Sequence, residues 1–219
     1  MDLDHASILG KLAPFRLNLN AGQLAQVSAY LRLLLRWSRA ISLTSIREPA
    51  EIVTRHFGES MYLAKFAALR GSLLDVGSGA GFPGLALKIA LPELSVVLLE
   101  PVSKRRAFLK EVVRGCGLTG VEVRPERVEE FGAQRAASAD AVTMRAVGSF
   151  DTVLKAVSRC LVPGGGLYLW LTDTEAKHLS AENRDFARFG WSEPIPLPLS
   201  RHREIWCGRS RGGSGDPRV

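Results

Sequence analysis

Residues 73–84 read Leu73-Leu74-Asp75-Val76-Gly77-Ser78-Gly79-Ala80-Gly81-Phe82-Pro83-Gly84, so that four glycines follow directly on a short apolar run. The apolar run is too short for a helix and stops at Gly77, which predicts a buried parallel strand. Gly77, Gly79 and Gly81 allow the backbone to turn sharply and to approach a ligand without a Cβ atom in the way. Pro83 suits the first turn of a helix, because the N–H groups of that turn have no helical partner. The stretch therefore predicts a strand, a ligand-binding loop and a helix.

Two classes of cofactor use such a loop, and the residues around it favour one of them. The segment 79–84 satisfies the dinucleotide pattern G-x-G-x-x-G, which alone is a weak signal. Asp75, just before the loop, would repel a pyrophosphate but suits the α-ammonium and sulfonium groups of S-adenosylmethionine. The next apolar run, 96–99, predicts a second strand that ends at Glu100, where a carboxylate can hold two ribose hydroxyls. Both cofactors carry that ribose, so Glu100 does not discriminate between them.

The composition indicates one main domain with a basic surface. The chain has 219 residues, 46% of them hydrophobic, which is enough for one sizeable core and an accessory segment. Its 29 Lys and Arg against 22 Asp and Glu give a net charge of +7, which favours a polyanionic partner such as RNA or DNA. The three cysteines are widely spaced and indicate reduced thiols rather than disulfides or a zinc site: Cys116, Cys160 and Cys207. No apolar run reaches the length of a membrane span, so we expect a soluble cytoplasmic protein that needs neither membrane nor metal.

The order of the predicted elements indicates an α/β fold behind an N-terminal helical cap. Apolar residues at helical spacing over 23–41, and a second helix from Pro49 to about Leu63, predict a cap over residues 1–70. Over residues 71–208, short strands alternate with helices, which is typical of a doubly wound, mostly parallel sheet. The segment 209–219 is rich in Gly, Ser and Arg and is expected to be a disordered basic tail.

Several residues are expected to meet at the carboxyl ends of the strands, which line the ligand crevice of a doubly wound sheet. Val128 and Glu129 follow a short third strand and stand where an adenine would lie. Arg145 follows the fourth strand, over 139–144. The rest of the chain predicts a helix over 150–160, a strand over 167–171, a helix over 175–189 and a last strand over about 205–207.

The chain resembles the bacterial glucose-inhibited division protein B family from about Tyr30 to Cys207. The most specific matching stretches are Trp37 with Leu43-Thr44-Ser45, Arg55-His56, residues 75–84, Ser103 to Leu109, Arg127 to Phe131 and Arg145-Ala146. The resemblance implies a seven-stranded Rossmann-like methyltransferase sheet. It also implies transfer of a methyl group from S-adenosylmethionine to N7 of a guanine in 16S ribosomal RNA. The partner would be the small ribosomal subunit or its RNA, and the enzyme would be a monomer.

The resemblance implies roles for individual residues. It implies that five residues contact the cofactor and that a sixth, Glu100, contacts the cofactor ribose. The five are Gly77, Phe82, Val128, Glu129 and Arg145. The glycine loop completes the predicted cofactor site with Asp75, Ser78, Gly79 and Gly81. The resemblance also implies that a basic pocket for the target nucleotide is formed by Arg127, Arg145 and one arginine before the last strand. Arg201 and Arg203 both fit that last position, and Arg203 is preferred because it abuts the strand.

The chain departs from the family pattern at three positions. Leu171 stands where the family has Lys, Ser42 where Asn is usual, and Glu59 where Asp is usual. The missing Lys leaves two alternatives open: a methyltransferase that acts on a different RNA guanine, and a non-catalytic RNA-binding relative that keeps the cofactor pocket. An NAD-dependent oxidoreductase is a third alternative, but Asp75 and the lack of a plausible catalytic His or Tyr-x-x-x-Lys set argue against it.

Methylation at guanine N7 needs few catalytic groups. N7 holds an in-plane lone pair that is unprotonated at neutral pH, so its attack on a sulfonium methyl requires no general base. Catalysis would consist mainly of aligning the nucleophile, the methyl group and the sulfur. An arginine can donate to guanine O6 and leave N7 free. The chain lacks the motifs for other acceptors: Thr143-Met144-Arg145 stands in place of an Asn/Asp-Pro-Pro-aromatic stretch, and no cysteine follows a proline as a cytosine C5 nucleophile would.

Overall fold

Strands and helices alternate behind an N-terminal helical segment in the computed structural model, which describes residues 3–145, 150–182 and 184–211. The strands are β1 Ser72–Val76, β2 Ser95–Leu99, β3 Val121–Arg124, β4 Ala139–Arg145, β5 Leu161–Thr172, β6 Phe189–Trp191, β7 Ile195–Pro196 and β8 Arg203–Ser210. The helices are α1 His5–Leu12, α2 Ala21–Trp37, α3 Pro49–Ile52, α4 Glu59–Met61, α5 Gly84–Ala90, α6 Ser103–Gly115, α7 Val128–Gln134, α8 Phe150–Cys160 and α9 Asp173–Glu182. A π-helical turn, Val53–Gly58, joins α3 to α4, so the predicted second helix of the cap is one continuous helical segment.

A single sheet organises the described part of the chain. Its strand order is β3-β2-β1-β4-β5-β8-β6, and the two-residue β7 also pairs with β8. The strands β1 to β5 are parallel, whereas β8 runs antiparallel to β5. The order reverses between β1 and β4, where the loops on either side diverge and open a crevice at the carboxyl edge. The predicted doubly wound α/β fold is confirmed, and seven strands lie along the sheet order.

The N-terminal segment packs on the glycine loop through aromatic rings. Tyr30 of α2 is fully buried, and its hydroxyl donates a hydrogen bond to the carbonyl oxygen of Ala80. The Tyr30 ring lies parallel to Phe82, with the ring centroids 5.0 Å apart. Phe57 meets both rings edge-on, at 5.1 and 5.0 Å. The cap and the glycine loop therefore belong to one hydrophobic core.

Two helices in this region have ends that differ from the predicted ones. Helix α2 begins at Ala21 because Asn20 and Gln23 form a capping box, and it ends at Trp37 rather than at residue 41. Pro83 is the N-cap of α5 and lies one residue outside the helix. None of the helices in the described part of the chain combines the length and apolarity that crossing a bilayer requires.

The C-terminal part corrects three predicted boundaries. The fifth strand begins at Leu161 rather than at residue 167. It includes the glycine-rich stretch, where its register with β4 is irregular. The predicted helix over 175–189 ends at Glu182, because Phe189 is buried in the core as part of β6 instead. Strand β8 continues through Ser210, past the predicted domain end at 208, since it pairs with both β5 and β6. Residues 212–219 of the predicted tail lie outside the described residues.

The Tyr30 hydroxyl offers a test of how the cap holds the loop. Tyr30→Phe keeps the ring stacked on Phe82 but leaves the buried Ala80 carbonyl without its donor. We expect the free energy of unfolding to fall by about 1–2 kcal/mol, measured by urea denaturation. Tyr62→Phe is the control, because the Tyr62 hydroxyl makes no hydrogen bond within the described residues. Equal changes in both variants would contradict this role of the Tyr30 hydroxyl.

Candidate active site

The carboxyl edge of the parallel strands collects the predicted site residues. The glycine loop follows β1, Glu100 follows β2, Arg127 precedes α7 after β3, and Arg145 ends β4. Arg203 reaches the same edge from the opposite direction, because it begins the antiparallel β8 and pairs with Thr172 at the end of β5. Sheet topology therefore brings together residues that are distant in sequence.

One cavity at this edge is bounded by the glycine loop, and we call it the loop cavity. Its lining consists of Leu43, His56, Gly77, Ser78, Gly79, Ala80, Phe82, Arg105 and Arg145. Gly77 and Gly79 have φ angles of 68° and 54°, in the left-handed region that favours glycine. A Cβ atom on Gly79 would meet only the Gly77 carbonyl oxygen, at 3.8 Å, so the backbone of the loop is open to an approaching ligand. Five of the predicted cofactor residues lie in this lining, namely Gly77, Ser78, Gly79, Phe82 and Arg145.

Glu100 braces the loop from the end of β2. Its side chain is 2% exposed, and its Oε2 accepts a hydrogen bond from the backbone N–H of Gly79 at 2.8 Å. Its Oε1 accepts from the backbone N–H of Val102 at 2.8 Å, and the Arg105 guanidinium lies 3.9 Å from Oε2. Each carboxylate oxygen keeps further acceptor capacity, but Glu100 lies outside the lining of the loop cavity, so its ribose contact stays a prediction.

Asp75 and Gly81 lie beneath the loop and not in the lining of the cavity. The Asp75 side chain is buried, and its Oδ1 accepts from the Thr143 hydroxyl at 2.7 Å. A Cβ atom on Gly84 would come within 2.8 Å of the Asp75 side chain, and one on Gly81 would collide with the Tyr30 hydroxyl. Its Oδ2 is buried and has no hydrogen-bond partner among the described residues, so the expected contact between Asp75 and a ligand ammonium stays a prediction. Asp75 also lies at the amino end of α5, where a carboxylate is favourable.

The residues after β3 lie outside the lining of the loop cavity. Arg127 is the N-cap of α7, and Val128 and Glu129 form the first turn of that helix rather than a loop. Val128 is 3% exposed and packs in the core, whereas Arg127 and Glu129 are exposed. The contacts expected of these three residues stay predictions.

A buried carboxylate, Glu59, joins the cap to the edge of the sheet. Its Oε2 accepts from Arg145 at 2.9 Å and its Oε1 accepts from Arg203 at 2.5 Å. Arg145 also donates to the backbone carbonyl of Arg55, and the Trp170 indole donates to the backbone carbonyl of Glu59, both at 2.9 Å. One negative charge thus holds two arginines, from β4 and β8, at one place.

A second cavity shares Arg145 with the first, and we call it the arginine cavity. Its lining consists of Glu59, Arg145, Trp170, Leu171, Thr172, Glu175, Leu197 and Arg203. Leu171, which replaces the family Lys, is buried in β5 and contributes an apolar wall. Arg201, the alternative to Arg203, is exposed and lies outside this lining. Arg145 is common to the linings of both cavities.

His56 lines the loop cavity as a neutral ring. Burial, together with the nearby charges of Arg145 and Arg55, lowers the pKa of His56 to about 3. Its Nε2 lies 2.7 Å from the Thr44 hydroxyl, and its ring stacks on Phe82 with centroids 4.9 Å apart. Its Nδ1 is buried and has no hydrogen-bond partner among the described residues. A buried polar atom left unpaired in a cavity wall is one that a bound ligand can satisfy.

These features fit S-adenosylmethionine. The loop offers open backbone, Glu100 offers a carboxylate for ribose hydroxyls, and Arg145 offers a cation for the cofactor carboxylate. His56 adds an unpaired polar atom without adding positive charge beside a sulfonium. Among the described residues no group of three or more His, Cys, Asp and Glu side chains is arranged to hold a metal ion.

Several solved structures that share the fold are named methyltransferases. A predicted O-methyltransferase from Agrobacterium tumefaciens matches with a TM-score of 0.58 and 21% identity, over 71% of this chain and 82% of that one. An S-adenosylmethionine-dependent methyltransferase from Aquifex aeolicus matches with a TM-score of 0.58 and 17% identity, over 74% and 94%. At such identities the likeness concerns the fold alone. The fold, together with the glycine loop and the carboxylate of Glu100 after β2, defines a Rossmann-like methyltransferase that depends on S-adenosylmethionine.

Sequence relatives identify the family. The family model GidB, described as rRNA small subunit methyltransferase G, matches residues 23–192. A ribosomal RNA small subunit methyltransferase G from Desulfitobacterium hafniense is 39% identical over 83% of this chain and 77% of its own length. Its namesake from Chloroflexus aggregans is 34% identical over 85% and 82%. The chain belongs to the rRNA small subunit methyltransferase G family, which confirms the predicted family, enzyme class and cofactor.

Two carboxylates of the site are not revealed by the sequence pattern. The spacing of Arg55 and Glu59 indicates neighbours on a helix, but it does not reveal that Glu59 pairs with arginines 86 and 144 residues away. Glu175 carries a local signal, since Thr172-x-x-Glu175 matches the capping-box pattern. That signal indicates a helix start, and only the sheet places Glu175 beside Arg203.

The buried carboxyl of Asp75 predicts a pH dependence of stability. Burial raises the pKa of Asp75 to about 6, so the folded state favours the protonated form. Its contribution to stability is therefore present below pH 4 and lost as the pH rises through 6. Between these limits we expect the free energy of unfolding of the wild type to fall by about 2–3 kcal/mol relative to Asp75→Asn, measured by urea denaturation.

Asp140→Asn is the matched control for that experiment. Hydrogen bonds from Ser72 lower the pKa of Asp140, so its contribution has the opposite sign and is lost as the pH falls. Parallel pH profiles for the wild type and Asp75→Asn would contradict the burial of a titrating carboxyl at residue 75.

The double ion pair of Glu59 predicts a large effect of a small substitution. Glu59→Gln leaves Arg145 and Arg203 close together without a compensating charge. We expect the free energy of unfolding to fall by about 3–5 kcal/mol, because partly buried charges then lack a partner. Glu51→Gln breaks the exposed ion pair with Arg55 and should cost less than about 1 kcal/mol. Similar losses in the two variants would contradict the bridging role of Glu59.

Proposed function

We propose that this enzyme transfers the methyl group of S-adenosylmethionine to N7 of a guanine in 16S ribosomal RNA. The observation that carries the proposal is that Arg145 lines two cavities, one formed by the glycine loop and one that also contains Arg203. Relatives named ribosomal RNA small subunit methyltransferase G support the RNA substrate. The net charge of +7 suits a polyanionic partner.

The loop cavity is proposed as the cofactor site. S-adenosylmethionine supplies an electrophilic methyl group on a sulfonium when it is bound. Glu100 would hold the ribose, the loop backbone would take the amino-acid part, and Arg145 would pair with its carboxylate. Because His56 stays neutral down to about pH 3, it would not repel the sulfonium.

The arginine cavity is proposed as the site of the target base. Arg203 and Arg145 supply donors suited to guanine O6, while Leu171 and Leu197 supply apolar walls for the faces of the base. N7 attacks without losing a proton, so the site needs no general base. The residues would act mainly by orientation, which can contribute several kcal/mol to lowering the barrier.

The remaining predicted contacts extend this proposal. Arg127 is exposed at the same edge of the sheet and would bind RNA phosphate, whereas Val128 and Glu129 would lie on the adenine side of the cofactor. We also propose that the enzyme acts as a monomer in the cytoplasm, on the small ribosomal subunit or on its free RNA. None of these steps uses a metal ion.

A labelling experiment tests the proposal. The protein is incubated with radiolabelled S-adenosylmethionine and with small ribosomal subunits, or their naked RNA, that lack the modification. The label is then mapped by cleavage chemistry specific for N7-methylguanine. We expect label at a single guanine of one of the two substrates.

Other outcomes of this experiment have distinct meanings. No label in either substrate, with cofactor binding intact, would overturn the proposal in favour of an RNA-binding relative without activity. Label on an RNA other than the small-subunit RNA would leave a methyltransferase that acts on a different guanine.

Arg145 and Arg203 should separate cofactor binding from RNA use. Arg145 lines both cavities, so Arg145→Ala should weaken binding of S-adenosylhomocysteine and lower kcat/KM for RNA together. Arg203 lines only the arginine cavity, so Arg203→Ala should lower kcat/KM for RNA by about 10- to 100-fold with cofactor affinity unchanged. Calorimetric titration and the methyl-transfer assay measure the two effects.

The exposed Arg201 provides the control for these two variants. Arg201→Ala should leave both measurements within about twofold of the wild type, since the residue lies outside both cavities. Unchanged turnover in Arg145→Ala and Arg203→Ala would refute the assignment of the two cavities.

A further inference from the structure

Glu175 presents an unused carboxylate oxygen in the arginine cavity. Its Oε2 accepts two hydrogen bonds from Thr172, from the backbone N–H at 2.7 Å and from the hydroxyl at 2.8 Å. Its Oε1 accepts no hydrogen bond and enters no ion pair among the described residues. Glu175 also lines the cavity together with Arg145 and Arg203. One oxygen thus fixes the side chain, and the other is available to a ligand.

Glu59, the other carboxylate in this lining, is already engaged. Its two oxygens accept hydrogen bonds from Arg145 and Arg203, and its side chain is 2% exposed. A ligand that needs an acceptor in the cavity would therefore meet Glu175 rather than Glu59. The cavity then offers arginine donors, one open carboxylate oxygen, and the apolar side chains of Leu171 and Leu197.

This combination is complementary to one base. Guanine presents two acceptors, O6 and N7, at one edge and two adjacent donors, N1–H and the 2-amino group, at another. Arginine donors match O6 and leave N7 free, and a carboxylate oxygen matches the donor edge. Adenine would instead turn its N1 acceptor towards the carboxylate, which leaves both lone pairs without a proton. Sites built around such polar contacts reject analogues that leave them unpaired.

We infer that Glu175 determines base specificity by accepting hydrogen bonds from N1–H and the 2-amino group of the target guanine. The inference rests on the proposed function, since it takes the arginine cavity as the site of the target base. The capping box with Thr172 holds Glu175 before the base arrives, so little side-chain freedom is lost on binding. Glu175 would select the base, and Arg145, which lines both cavities, would contact both the base and the cofactor.

The test compares guanosine with inosine, which lacks only the 2-amino group. Small-subunit RNA is assembled by splinted ligation with either nucleoside at the position mapped by labelling. For the wild type we expect kcat/KM to be about 10-fold lower on inosine RNA. For Glu175→Gln we expect kcat/KM on guanosine RNA to fall by about 10- to 100-fold and the preference for guanosine over inosine to fall to about one.

Two controls separate recognition from folding. Glutamine also serves as the fourth residue of a capping box, so Glu175→Gln should keep the melting temperature of the wild type. Glu93→Gln makes the same change at an exposed residue before β2, at the opposite edge of the sheet, and should leave both rates unchanged. A melting temperature that drops together with both rates would assign Glu175 a structural role and overturn the inference.

The outcomes distinguish this inference from the function on which it rests. If the wild type methylates guanosine RNA and Glu175→Gln keeps the wild-type preference over inosine, the specificity role is wrong and the proposed function stands. If the wild type transfers no methyl group to guanosine RNA, the proposed function itself is overturned. A higher kcat/KM for Glu175→Gln would mean that the carboxylate only repels RNA, which also overturns the inference.

Discussion

The ion pairs of Glu59 with Arg145 and Arg203 hold the site together. Each arginine comes from a different strand, and the carboxylate comes from the helical cap. Two guanidinium groups this close would repel each other without the charge between them, and burying the carboxylate would be unfavourable without the arginines. The three groups therefore depend on one another. The cap is thus bound to the sheet through Arg145, which lines both cavities.

The glycine loop is fixed from both sides in a similar way. Tyr30 and Phe82 hold it against the cap, and Glu100 holds the Gly79 N–H from β2. The loop is therefore rigid where its backbone is open, and a ligand need not order it on binding. Methyl transfer depends on the alignment of the acceptor atom, the methyl group and the sulfur, so a rigid loop suits this chemistry.

The sequence predicts those features of the fold and the site that depend on residues close together in the chain. The run 73–84 indicates the strand, the loop and the helix, and Arg145 is placed at the crevice by its position at a strand end. The hydrogen bond from Thr143 to Asp75 is not predictable this way, because it depends on the pairing of β4 with β1. The pairing of β6 with β8, where Trp191 lies edge-on to Trp206 with ring centroids 6.0 Å apart, ends the helical pattern that precedes it. Glu59 and Arg203 meet only through the complete sheet.

The direction of β8 has a consequence for the nascent chain. Every residue in the lining of the loop cavity lies between Leu43 and Arg145, whereas the arginine cavity needs Leu197 and Arg203 as well. Translation therefore supplies the whole lining of the first cavity before it supplies that of the second. A chain synthesised only as far as Arg145 would contain every described residue that lines the loop cavity but would lack β5 to β8 and the residues from Trp170 onward that line the arginine cavity.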